Sequence, residues 1–442
     1  MAEPTLDGLP VELKIIILSQ IDDRDTLRCL VHASPAYHQA YLTARHQLLR
    51  SLVERQYDGF LDLAEALTAI RSKGVLYGFQ DEKVIYLLDN WRRRDEIRQL
   101  SPPSSSRHQL DQPDGLEEII KLLQFHKMLC FFIEDFSTND QRPPWIQPVQ
   151  WEREHLPLHL SPAEKHRFLR AICRLQILQN IFGDPILCSD PDCPCSNMHN
   201  WQVLELDRAV GTEGIRKNAY RLFYGPLSLW EIDEMGSVFG YLYSKIMGIS
   251  AEVEDDLRQL CKNTPSGMFC DIIPKEQRPP ACELEADCNL DRLSNHFTGL
   301  AGLGPEFLYR LLHLDQLSRR NHFCENARSF WPGPFIGYSN GMSRDAEFPF
   351  VDPADRLEAS GFEHFWSTLS SLDQPTVGWK KAWLLPHTPD DPLEDCVDYN
   401  RDPDKDWEWC YALWDETRLR EWKAPLVEED GQFNTPGAQI SN

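Results

Sequence analysis

Positive charge is what this chain has least of. Its 442 residues carry 45 Lys and Arg against 69 Asp and Glu, a formal net charge of −24. A nucleic-acid-binding surface needs a cationic face to displace counterions from phosphate, so nucleic acid is excluded as a general partner. The compact basic run Arg92-Arg93-Arg94 is followed at once by Asp95-Glu96 and reads as a solvated helix face. Long apolar runs are missing too. Met128 to Ile133 is among the longest, far below the roughly 20 residues of a membrane-spanning helix. The first residues hold no signal-peptide apolar core, and no Asn-x-Ser/Thr acceptor occurs anywhere. Thirteen cysteines, an odd number spread through a large chain, read as reduced thiols and not as a disulfide framework. These absences point to a cytoplasmic or nuclear protein with no membrane partner.

Two common catalytic signatures are absent as well. There is no His-Glu-x-x-His and no Gly-x4-Gly-Lys-Ser/Thr, and the chain is expected to perform no bond chemistry and to need no cofactor. Three constellations nevertheless look chemical. Cys188, Cys193, Cys195 and His199 bring four soft ligands into one loop, but structural zinc sites draw their ligands from two opposed arms, and this crowded spacing predicts no closed metal site. Asp398-x-Asn400-x-Asp402-x-Asp404-x-Asp406 has the alternating oxygens of a calcium loop. It has Pro403 where the turn needs glycine and Trp409 where a bidentate glutamate belongs, and it reads as an acidic surface loop. Gly299-x-x-Gly302-x-Gly304 lacks the order of a dinucleotide fingerprint and is expected to be a loop before a helix at Pro305.

The most informative stretch is the N-terminus. Residues 9 to 49 hold three short apolar helical segments in about forty residues, too few to bury them all among themselves. Leu9-Pro10-x-Glu12 opens the first, with proline expected in its first turn. Leu13, Ile16 and Ile17 follow at helical spacing, and Ile15 to Leu18 make this helix apolar nearly all round. Asp22-Asp23-Arg24-Asp25 breaks the pattern and offers cap carboxylates to a second helix carrying Leu27, Leu30 and Val31. Ser34-Pro35 starts a third with Tyr37, Tyr41 and Leu48 along one face. Something beyond the three segments has to cover helix one.

Leu9-Pro10-x-Glu12-Leu13, the Ile-rich first helix, the acidic break, Leu27-x-x-Leu30-Val31 and the aromatic Tyr37 together resemble the F-box, the adaptor-binding module of substrate receptors in cullin-RING ubiquitin ligases. The form His32-Ala33-Ser34-Pro35-x-Tyr37, where the family often has Cys-Lys-x-Trp, looks like the F-box-like proteins of filamentous fungi. Segments similar to Leu169–Gln176 and Val377–Trp383 recur in that group as well. The resemblance covers about a tenth of the chain. It implies docking of a Skp-type adaptor, and through it a cullin-RING ligase, on Leu9, Pro10, Leu13, Ile16, Ile17, Leu27, Leu30 and Val31. The remainder would hold a protein substrate.

The fold class expected is mainly α: an N-terminal three-helix module over 5–50, then a larger irregular helical body over 51–425 with proline-rich loops, and a disordered tail over 426–442. Within the body Phe60, Leu63, Leu67 and Ile70 mark one helix, and Leu116 to Phe136 another. Residues 98–115 and 138–162 are the loops, the second pinned to the core by Trp145 and Trp151. Ser161-Pro162-Ala163-Glu164 and Ser228-Leu229-Trp230-Glu231 are two capping boxes ahead of apolar periodic runs. Eight of the 13 tryptophans lie from Trp331 onward; Tyr411, Trp414, Leu419 and Trp422 predict a C-terminal helix docked on the body, with these rings as core.

Overall fold

The computed structural model describes residues 6–92, 112–138, 142–183, 220–224, 227–262, 293–327, 359–384 and 410–424. Among them there are helices and turns and no strand, so the fold is mainly α. The chain divides into two compact units, one of residues 1–73 and 86–134, the other of 74–85 and 135–442.

The first unit begins with α1 (Val11–Ser19), α2 (Arg24–Ala33) and α3 (Pro35–Tyr57). Pro10 takes the N-cap of α1 and not its first turn, and supplies a carbonyl to Lys14 N–H at 3.2 Å. Asp23 caps α2 by accepting from the N–H groups of Asp25 and Thr26 at 3.2 and 2.6 Å. Hydrogen bonds from the Thr26 side chain and backbone hold its carboxyl below the usual range. Ser34 caps α3 in the same way, with Pro35 at its first position. This third helix runs past Leu48 to Tyr57, bending at Ala44 (φ −119, ψ 17), where no proline or glycine accounts for the bend. Both α1 and α2 pack on α3. Leu18, Leu27, Val31, Tyr37, Leu48, Leu52 and Val53 are buried here. Further along, α4 (Leu63–Arg71) is capped by Asp62, leaving Phe60 in the preceding turn. Arg71 forks onto Glu118 at 2.9 and 2.8 Å and ties α4 to α6 (Leu116–Thr138). Between them in sequence lies α5 (Asp81–Arg92).

The second unit is built on α7 (Pro162–Phe182). Its start is the capping box that the residues spell: Ser161 Oγ accepts from Glu164 N–H at 3.1 Å, and Glu164 accepts from Ser161 N–H at 2.9 Å. Packed against it are α8 (Leu229–Lys262) and α10 (Gly304–His313), with α9 (Leu293–Gly302) on α8 and α11 (Gln316–Asn326) on α10. Glu231 accepts from Ser228 N–H at 3.3 Å at the start of α8. Gly299 and Gly302 belong to α9, so the expected loop shrinks to the junction at Gly304, whose φ of +86 turns the chain into α10. Among the described residues three short helices follow: α12 (Ala359–Thr368), α13 (Val377–Trp383) and α14 (Glu416–Glu421). The C-terminal helix is thus shorter than the aromatic spacing predicts. Tyr411 and Trp414 sit on the turn before it, entered through Cys410 at φ +57. Trp379, Trp414 and Trp422 are buried, and Trp414 and Trp151 both lie against Trp422, with ring centres 5.1 and 5.2 Å away. Trp145 donates to the Trp422 carbonyl at 3.0 Å, so 142–162 is indeed held to the core.

Candidate interaction surface

A nine-residue helix has room for one buried stripe, and the choice made by α1 is unusual. Lys14 and Leu18 face inward at 8% and 1% exposure, while Leu13 and Ile16 stand outward at 45% and 54%. Burial of the stem is an accommodation open to long charged side chains. Ile16, a β-branched apolar residue, has its side chain in water. Leu6 and Val11 are exposed as well, Pro10 is exposed, and Leu9, Ile15, Ile17 and Leu30 are half-buried. Contiguous exposed apolar groups mark interaction surfaces in soluble proteins, whereas single ones need no explanation. Of the eight residues that the F-box resemblance selects, this face carries Leu9, Pro10, Leu13, Ile16 and Ile17, with Leu30 partly accessible on α2. Leu27 and Val31 are buried inside the three-helix packing and present nothing to a partner as the helices stand.

The face is tied at both ends. Ser34 Oγ donates to Asp7 at 2.5 Å, holding the turn Leu6–Gly8 to the start of α3. At the other end Arg55 donates to Asp22 at 2.9 Å and to the Ile21 carbonyl at 2.7 Å, and Gln56 donates to the Asp22 carbonyl at 3.3 Å. An open cleft of about 520 Å³ runs beside the last turn of α3 among Ser51, Arg55, Asp58 and Leu63. Its guanidinium is already engaged with Asp22, which makes it a poor anion site.

The second concentration of polar chemistry is internal to the second unit and was not visible as a site in the sequence. The α7 helix buries Glu164, Arg167, Arg170 and Arg174 along with its apolar residues. Arg170 forks onto Glu234 at 2.8 and 3.1 Å and reaches Asp373 at 2.7 Å and Glu231 at 3.2 Å. Arg174 meets Glu231 at 3.0 Å. Burial works against the Glu231 charge, but Arg174 and Arg170 outweigh it and hold the carboxyl down at about 2. Arg167 donates to Asp415 at 2.9 Å and to the Leu413 carbonyl at 3.0 Å, and Arg418 forks onto Glu164 with both bonds at 2.6 Å. Trp379 and Trp230 close the edge by donating to Asp233 at 2.7 Å and to the Asp373 carbonyl at 2.9 Å. Every acid here has a guanidinium partner or an indole N–H. The network holds 370–384 and 410–424 onto α7 and α8. Its signal was present in the three arginines at 167, 170 and 174 and the acid cluster Glu231, Asp233, Glu234 at the start of α8.

Among the described residues no three His, Cys, Asp or Glu side chains converge as a metal site would require. Cys188, Cys193, Cys195 and His199, the Asp398 to Asp406 loop and the 426–442 tail lie outside the described residues. No helix among the described residues is long and apolar enough to cross a membrane. Comparison with family models, curated proteins and solved structures finds no match to this chain.

Proposed function

We propose that the chain is a substrate-receptor subunit of a Skp-cullin-F-box type ubiquitin ligase. The N-terminal helices bind a Skp-type adaptor and the helical body holds a protein target, acting in the cytoplasm or nucleus. The observation that supports this most is the outward apolar face of α1, where Leu13 and Ile16 are exposed while Lys14 is turned in. In this role the chain makes and breaks no bonds. It raises the effective concentration of a target lysine near a charged conjugating enzyme, as a tether does.

The test is calorimetric titration of a purified Skp-type adaptor into the full chain and into a Leu13→Asp/Ile16→Asp variant. Each aspartate would enter an apolar interface without a partner, a loss on the order of 2 to 5 kcal/mol of binding. Binding by the parent chain that disappears in the variant is the expected result. No adaptor binding by the parent chain would sink the reading.

A second reading is a non-catalytic interaction or scaffold protein whose N-terminal helices serve another partner or complete its own core, the latter drawing on the burial of Leu27 and Val31. It expects no adaptor affinity, and a melting temperature that responds to Leu27→Ala far more than to Ile16→Asp.

A further inference from the structure

We infer that Asp7 and Arg55 are positioning residues for the α1 face: neither is part of its apolar surface, but each fixes one end of the helix on α3. This inference rests on the adaptor reading. An isolated nine-residue helix is marginal in water, because nucleation is costly and few hydrogen bonds follow. Most of the α1 outer arc is apolar and gains nothing from packing while the partner is absent. What orders it is its inner stripe, Leu18 above all, and the polar ties at its two ends. At the leading end, Asp7 accepts from the same Ser34 hydroxyl that caps α3 by accepting from Ala36 and Tyr37 N–H at 3.2 and 3.4 Å, so the turn carrying Leu6 is registered to the first turn of α3. At the trailing end, Arg55 in the last turn of α3 holds two successive residues, through the Ile21 carbonyl and the Asp22 carboxylate. The helix therefore runs in the same sense as α3 and is anchored at both limits.

Exposed pairs of this kind contribute little to global stability; the Asp22 side chain is 80% exposed. They act on a smaller equilibrium, between α1 docked in one orientation and α1 swinging on the Asp22-Asp23 link. If only a fraction of molecules presents the face correctly, the apparent affinity falls by that fraction.

The experiment measures adaptor affinity and melting temperature on the full chain for Arg55→Met and Asp7→Ala, with Arg55→Lys and Asp7→Asn as conservative partners. Arg55→Met and Asp7→Ala are each expected to weaken binding by about tenfold, as the competent population drops to roughly a tenth, with the melting temperature almost unchanged. Asp7→Asn keeps an accepting oxygen and is expected to restore affinity; Arg55→Lys, which can reach only one of its two acceptors at a time, is expected to restore part. Parent-like affinity in both truncating variants overturns the positioning role while leaving the adaptor reading intact. A lowered melting temperature with parent-like affinity of the folded protein would overturn it too. Failure of the parent chain to bind the adaptor removes the reading beneath it.

Discussion

Gly378 shows how one atom can reverse the sign of a propensity argument. It lies inside α13, where alanine is the better helix former by up to about 1 kcal/mol. A Cβ built there would stand 2.7 Å from the Tyr411 carbonyl oxygen, and a backbone atom in a buried turn cannot yield cheaply. Gly378→Ala is therefore expected to destabilise by ~1 to 3 kcal/mol, the scale of overpacking, read as a lower urea midpoint at unchanged slope. Arg170 is the residue with most at stake. Replacing it by Met keeps volume but takes the guanidinium fork from Glu234, and removing one partner of a buried pair is expected to lower stability by about 3 to 5 kcal/mol. A Glu234→Leu change added to it is expected to recover part of that loss, because the uncompensated charge goes with it. Equal destabilisation by single and double variants would show that packing of the arginine stem, not its charge, is what matters. Neither effect is readable from sequence, since the Cβ neighbour of Gly378 comes from a segment more than thirty residues away.

At the scale of elements, what the residues announce best is where helices start. Ser34-Pro35, Asp23 and Ser161-x-x-Glu164 all cap as their identities require, because a cap is satisfied by backbone N–H groups within three residues. Ser161→Ala is expected to cost about 1 kcal/mol from the lost cap, and more if the bond from Ser161 to Asp415, which ties in α14, is also worth keeping. Chemical denaturation of Ser161→Ala, Asp415→Ala and the double variant would isolate the Ser161–Asp415 contribution as the coupling energy of the cycle. Helix ends are less legible. The third helix runs past Leu48 to Tyr57, and the C-terminal aromatics divide between a turn and a short helix, because Trp414 and Trp422 are placed by Trp151, Phe136 and Arg418 and not by a helical period. The face of α1 was legible only as an excess of isoleucine. Which isoleucine faces out was settled by Leu18 and Lys14 packing inward.

For the whole molecule, the acid side of the stability profile has a clear origin. Burial pushes His166 and His322 down to about 4 from the ordinary 6.5, helped at His166 by Arg170 and at His322 by Arg310. The unfolded chain takes up these protons first as the pH falls, so the folded state holds fewer protons between those values and loses stability across that window. Glu231, held near 2, adds its own loss only below its ordinary 4.5. The melting temperature is thus expected to be level above pH 7 and to decline from about pH 6.5 toward pH 4. A His166→Gln/His322→Gln variant should decline less steeply in that interval, and an equally steep decline would assign the loss to other groups.

From the sequence alone follow the helical class, the caps, the absence of a spanning helix among the described segments and the concentration of apolar residues in the first forty positions. Each of these depends on neighbours within a turn or two, or on composition. Tertiary structure decided the rest. It turned Lys14 in and Ile16 out, put Leu27 and Val31 inside, and gathered Arg167, Arg170 and Arg174 against acids drawn from α8, 370–384 and 410–424. A charged residue in a helix looks solvated until its counter-ion arrives from 60 or more positions away, as Glu234 does for Arg170. Only the folded chain brings such partners within hydrogen-bonding distance.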